Sequence, residues 1–384
     1  MTTVEQVNVF QFEAMIGSRN IYKNEHIPTG TDVSPLPFIE EEEPVVTEEP
    51  VATEEPSAVV IDIKPRSRKM SYGIKQLDSS QDSVFTGSYI PTAEDAPFYE
   101  AFDWGIVADG HGKTFSLGGR REPFMGFKEA FDALDHEEIV FSEDPIAYIQ
   151  EMIPFHLYPA NVGATFLMFK AFKNRIEMFS VGDSSARVFV NKKLVYKNEL
   201  HKIDSEKEVK RLFDQKIKYT FHSGISPRIL DESHLIMERS NTVTFYRGIS
   251  NFGLSLTQSI GHHNMTGFDP ERKTIEFNDE DEVQIVIGSD GVFDVVCNEI
   301  DNPFLANVEE AEELVDFAEA RWKQQWLNSI TQEARNNYMK NLRDRKKMES
   351  LVEFKGADGK VYYEYESTVF PEYDDISCVV WTQR

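Results

Sequence analysis

The chain has 384 residues, 40% of them hydrophobic, which is enough for one large domain or two ordinary ones with a sizeable core. A formal charge of −26 at pH 7 excludes nucleic acid or anionic lipid held by a general field, because those partners need a surplus of Lys and Arg, whereas cations would be attracted. Only Cys297 and Cys378 are present, so there is no disulfide framework and no cysteine zinc site. No apolar run approaches the ~18 residues of a membrane span, and MTTVEQVNVFQFEAMIGSRN lacks the pattern of a signal peptide. The expectation is a soluble, monomeric protein of an intracellular, cytoplasmic compartment.

In chain order, the first segment is EEEEPVVTEEPVATEEP (40–56), with eight glutamates, recurrent Pro and no basic residue. Such composition cannot bury enough apolar surface to offset ordering entropy, so 1–66 reads as a disordered acidic arm and 67–384 as the domain. Short apolar runs with β-branched and aromatic residues then predict strands in GATFLMFKAF (163–172), RIEMFSVG (175–182) and ARVFVNKKLVYKN (186–198), the last with a hairpin at Asn191. A helix is expected within HKIDSEKEVKRLFDQKI (201–217), and 199–253 carries no catalytic signature of its own. EVQIVIGSDG (282–291) and DISCVVWT (375–382) read as strands. Between them the charged stretch 307–348 is expected to be helical, with Val308, Ala311, Leu314, Val315 and Ala318 forming one apolar face. Strands that follow one another by hairpins, with helices clustered between groups, favour α+β with antiparallel sheets over a doubly wound parallel sheet.

WGIVADGHGKTF (104–115) ends in Gly-Lys-Thr and invites comparison with a nucleotide phosphate loop. The spacing excludes it: the required first glycine falls on Val107, inside an apolar strand, and Asp109 would put a carboxylate in an anion cradle. Asp109 and the Gly110 carbonyl are instead the ligand types that Mg²⁺ and Mn²⁺ accept. VQIVIGSDGVFD repeats the design with Asp290 and, further on, Asp294; VGDSSARVFV places Asp183 between two strands, and EYDDISCVVW places Asp374 and Asp375 before the last one. These are either four ordinary loops or one sheet edge built as a two-metal site, in which paired cations activate water for phosphoryl displacement. Composition does not decide between them.

The order and wording of the motifs do. Gln81-Asp82, VADGHG (107–112), GAT (163–165), VGDSSAR (181–187), LSLTQSIG (254–261), IGSDGVFD (287–294) and DDIS (374–377) together resemble the signature blocks of the type 2C, metal-dependent protein serine/threonine phosphatases. The resemblance spans about 71–384. It implies a four-layer αββα sandwich of two antiparallel sheets flanked by helices, two Mg²⁺ or Mn²⁺ ions, and phosphorylated proteins as substrates. By position it implies that Asp109 bridges both ions, with the Gly110 carbonyl, Asp290 and Asp374 completing their ligands, and that His111 is the general acid. Asp183 and Asp294 match acids associated with an additional metal, and 199–253 includes the family's variable flap.

Three positions depart from the family pattern. Gln81 precedes Asp82 where a glutamate is usual, so a neutral amide replaces a carboxylate, with Asp78 able to compensate if it points inward. Leu77 stands at the phosphate-binding arginine, leaving Lys75, two positions out of register, as a substitute cation. His262 and His263 follow Gly261 where an aspartate is expected, and read either as metal ligands or as an exposed turn. Two functions therefore stay open: an active phosphatase acting without a phosphoenzyme, or a catalytically silent relative that keeps the fold and binds partners.

Overall fold

The computed structural model describes residues 67–76, 81–96, 98–112, 126–247, 250–340, 345–368 and 374–384. The acidic arm expected at 1–66, Leu77, Asp78, Lys113 and Thr114 lie outside the described residues. In chain order the main strands are β1 (Arg68–Lys75), β2 (Ser83–Tyr89), β3 (Phe102–Ala108), β4 (Phe166–Ala171), β5 (Arg175–Val181), β6 (Ser185–Val190), β7 (Lys193–Lys197), β8 (Tyr219–Ile229), β9 (His234–Arg247), β10 (Ser250–Leu254), β11 (Glu271–Glu276), β12 (Val283–Gly288), β13 (Trp326–Thr331), β14 (Val352–Lys355), β15 (Val361–Thr368) and β16 (Ile376–Gln383). The longer helices are α1 (Phe127–Asp132), α2 (His136–Phe141), α3 (Pro145–Met152), α4 (Glu206–Asp214), α5 (Asn298–Leu305), α6 (Ala311–Lys323) and α7 (Gln332–Met339).

Two five-stranded antiparallel sheets form the centre, in the orders β1-β16-β12-β6-β7 and β11-β5-β4-β3-β2. Because side chains alternate across a strand, each apolar run serves two layers. In β4, Leu167, Phe169 and Ala171 face the second sheet, joining Ile285, Ile287, Val379 and Trp381 in one core. Phe166 and Met168 face outward and pack with Phe127, Phe131, Ile146 and Ile149 of α1 and α3. On the opposite outer face Val286, Cys378 and Val380 meet Leu314, Val315 and Ala318 of α6. These strands are apolar on both faces because both faces are covered, and the result is the αββα sandwich.

Local chemistry sets the connections. Asn191 and Lys192 both take left-handed φ, 50° and 64°, as a tight two-residue hairpin requires between β6 and β7. Asp135 caps α2 by accepting from the Glu137 and Glu138 amides.

The stretch 307–348 departs from its helical expectation. Among its described residues α6, α7 and a short turn at Arg345–Glu349 are helical, and β13 interrupts them. In WLNSIT the β-favouring Trp, Ile and Thr outweigh helical charge patterning, and Trp326 is fully buried with its Nε1 donating to the Arg321 carbonyl at 3.0 Å. β13 runs parallel to β9 and antiparallel to β15, adding a third sheet, β8-β9-β13-β15-β14 with β10 on β9, to the two expected.

Candidate active site

The register of the two central sheets brings the acidic strand ends to one end of the sandwich. Ser83 pairs with Ala108, Val107 with Leu167 and Phe166 with Val181, so the chain just before β2, after β3 and after β5 lies at the same edge. Gly288 pairs with both Ser185 and Cys378, which places the end of β12 beside the starts of β6 and β16. Asp82, Asp109, Asp183, Asp290 and Asp374 all follow or precede these ends by one to three residues. Three two-residue strands, Gly110–His111, Gly163–Ala164 and Ile260–Gly261, pair side by side across this edge and tie together the DGHG, GAT and SIGHH segments.

The motif residues with no acid of their own hold the acids in place. The Asp109 amide donates to Thr165 Oγ1 at 3.2 Å, the Thr165 amide donates to the Asp109 carbonyl at 2.9 Å, and Thr165 Oγ1 lies 2.6 Å from Ser184 Oγ. Ser377 Oγ donates to Asp82 Oδ2 at 2.7 Å. A side chain at Gly291 would overlap the Asp375 carbonyl, so only glycine lets the turn after β12 close against the start of β16.

The electrostatics are those of crowded, desolvated carboxylates. Burial, then the charges of Asp290 and Asp82, hold the Asp109 carboxyl well above the usual range, and Asp290 is raised by burial, Asp294 and Asp183. Asp82, 2% exposed, is pushed up to about 7, by burial first and by Asp375 and Asp374 against the Ser377 hydrogen bond. Asp374 and Asp294 are exposed at the rim, and the Asp374 side chain accepts from the Asp375 amide at 2.9 Å. Asp183 is buried, 3.4 Å from Lys202 Nζ. His111 sits inside the same edge and burial lowers its ring to about 4.

The sequence profile of the protein phosphatase 2C family matches residues 115–346, more than half of the chain. The chain belongs to the protein phosphatase 2C family. The matched span contains Asp183, His262, Asp290 and Asp294, while Asp109, Gly110, His111 and Asp374 lie outside it. No curated protein matches the chain at a significant level. Among solved structures, a sex determining protein of C. elegans is 16% identical with a TM-score of 0.41, covering 82% of this chain and 64% of its own. A serine-threonine phosphatase 2C from Toxoplasma gondii is 14% identical with a TM-score of 0.44, covering 83% and 95%. The phosphatase PstP/Ppp of Mycobacterium tuberculosis is 14% identical with a TM-score of 0.40, covering 82% and 97%.

Family membership implies divalent cations, and the donor chemistry here fits them. Aspartates and a backbone carbonyl at one desolvated edge are hard oxygen ligands, and a cation would offset their mutual repulsion. Gln81 Oε1 adds a buried oxygen with no hydrogen-bond partner among the described residues. Gln81 is at this edge, because a side chain at Gly110 would collide with its backbone carbonyl. The side chains do not form a closed cage: among the described residues no three of His, Cys, Asp or Glu converge on one point.

The phosphatase 2C departures are placed as follows. Lys75 is not brought to the acids, since its Nζ is paired with Glu319 on α6. His262 is fully buried and meets His111, which corrects the exposed turn as a reading of this residue. Lys202 was not singled out in the sequence, although it is the cation whose charge is felt at Asp183, Asp294 and Asp290. Its only sequence signal is adjacency to His201, whose Nδ1 accepts from the Gly182 amide at 2.9 Å and so pins the segment to the Asp183 turn.

Proposed function

We propose that this phosphatase 2C member is an active, Mg²⁺- or Mn²⁺-dependent enzyme that hydrolyses phosphoserine and phosphothreonine in proteins without a phosphoenzyme. The observation that carries this reading is the meeting of Asp82, Asp109 and Asp290 at one desolvated edge, with His111 beside them. Asp109, the Gly110 carbonyl, Asp290 and Asp374 would hold the ions, with Asp82, Gln81, Asp183 and Asp294 around them. When bound, the ions would activate a water as nucleophile and offset charge on the phosphoryl oxygens.

The chain's own residues supply the remainder. Thr165 and Ser184 fix the Asp109 backbone, so the turn is preorganised before substrate arrives. His111, as the imidazolium, gives a proton to the leaving seryl or threonyl oxygen, becomes the neutral imidazole, and recovers the proton from solvent. Neither cysteine takes part: both are buried, and burial pushes the Cys378 thiol up to about 12. Lys75 serves Glu319 and does not receive phosphate in this reading.

The test is turnover of a phosphothreonine peptide with Mn²⁺. Asp109→Ala should lose at least about a hundredfold in kcat, as removal of a residue that would hold the ions demands. Wild-type turnover no higher than that of the variant would refute the reading. A silent binding module is the second reading, favoured by the neutral amide at Gln81 and the engaged Lys75. Calorimetric titration with Mn²⁺ separates the two, because two sites of ordinary affinity count against a pure binding module.

A further inference from the structure

Among the described residues His262 is the one histidine whose ring meets the ring of the proposed acid. Its Nε2 lies 2.7 Å from His111 Nε2, and its Nδ1 lies 3.0 Å from the Ala160 carbonyl oxygen. A carbonyl only accepts, so His262 Nδ1 carries the hydrogen. In a neutral ring that leaves Nε2 bare, and the short contact then requires His111 to donate from its own Nε2. Burial and the neighbouring His111 favour the neutral ring at His262 by holding its pKa well below the usual histidine range.

The surroundings fix His262 from every direction. Its backbone takes a left-handed φ of 51°, followed by 49° at His263 and 55° at Asn264, a run that non-glycine residues adopt only when the fold imposes it. The His262 amide donates to the Val162 carbonyl at 2.9 Å. Phe252, on β10, stacks on the ring at 4.4 Å between centroids with planes 15° apart. Gly163 leaves space for the ring, since any side chain there would overlap it. An imidazole with no solvent exposure and both nitrogens assigned is a designed acceptor rather than a filler of the core.

We infer that His262 is a positioning residue for catalysis: by accepting the Nε2 hydrogen of His111 it fixes the orientation of that ring, so that in the imidazolium the Nδ1 hydrogen is the one left for the leaving oxygen. The inference rests on the proposed phosphatase activity and on His111 as its acid. It assigns to a neutral imidazole the orienting task that a carboxylate performs in hydrolytic triads. Phe252 links it to the segment 199–253, so the packing of that segment bears on the acid through one aromatic contact.

The test compares a phosphothreonine peptide, whose leaving oxygen needs a proton, with p-nitrophenyl phosphate, whose leaving group does not. His262→Phe keeps an aromatic ring but cannot accept a hydrogen bond, and His262→Gln restores an acceptor. The phenylalanine variant should lower the ratio of peptide to p-nitrophenyl phosphate kcat by at least about tenfold, with the loss in kcat rather than KM, and the glutamine variant should recover part of it. An unchanged ratio in both variants would overturn the inference while leaving the phosphatase reading intact. If the wild type turns over neither substrate, the phosphatase reading fails, and ring ¹⁵N shifts decide the positioning separately. His111 should then be the Nε2–H tautomer in the wild type and lose that preference in His262→Phe; the same tautomer in both would overturn the inference.

Discussion

At Gln81 one atom separates this chain from the family pattern. The side-chain oxygen is buried, lacks a hydrogen-bond partner among the described residues, and lies so close to Gly126 that a side chain there would overlap it. A glutamate would place a charged oxygen in the same space without added bulk. Gln81→Glu should therefore tighten Mn²⁺ binding by about tenfold at neutral pH, read by calorimetry, since a ligating or near-ligating carboxylate changes affinity by at least that factor. Equal affinity in variant and wild type would place position 81 outside the metal's reach. Asp109, Gly110, His111, Asp290 and Asp374 were legible as candidate site residues because each sits in a motif whose neighbours identify it. Lys202 and the contact of His262 with His111 were not, because they arise between segments distant in the chain, 151 residues apart for His262.

At the scale of elements, one half-buried histidine ties the outer sheet together. His234, at the start of β9, places Nδ1 2.7 Å from Asp231 Oδ1 and Nε2 2.9 Å from Glu364 Oε1 on β15, while its ring stacks on Phe354 of β14 at 3.8 Å. The parallel pairing of β9 with β13 lies immediately beside it, so His234 joins the β8–β9 hairpin to the strands that follow α6. His234→Ala removes both hydrogen bonds and the stack. It should cost about 1–3 kcal/mol in unfolding free energy, and hydrogen exchange should accelerate in β14 and β15 more than in β12 or β16. Uniform exchange across all four strands would show that the outer sheet does not depend on this contact. The same region shows where pattern reading stopped: β4, β6 and β12 are apolar runs, whereas β13, of the same length, is half polar. Its strand identity comes from pairing with β9 and β15, which no local period records.

For the whole molecule, α+β with antiparallel sheets was legible in strands that follow one another by hairpins, whereas the αββα layering came from the family resemblance and is explained by central strands that are covered on both faces. The third sheet was not legible, since WLNSIT lies within a stretch whose charge and alanine content favour helix. The acidic balance acts at this scale too. A formal charge of −26 on the chain produces a negative field, and carboxylates are concentrated at the edge that would meet substrate. The phosphate must approach against that field, so basic residues flanking the phosphorylated side chain would offset the repulsion. Peptides with Lys or Arg on both sides of phosphothreonine should show a lower KM than the same peptides with Glu, by about tenfold at 10 mM salt. The advantage should shrink toward twofold at 150 mM, because the Debye length falls from about 30 Å to about 8 Å. Steady-state KM for the two peptides across that range measures it. A KM ratio that does not change with salt would mean that short-range contacts, and not the field of the molecule, distinguish the peptides.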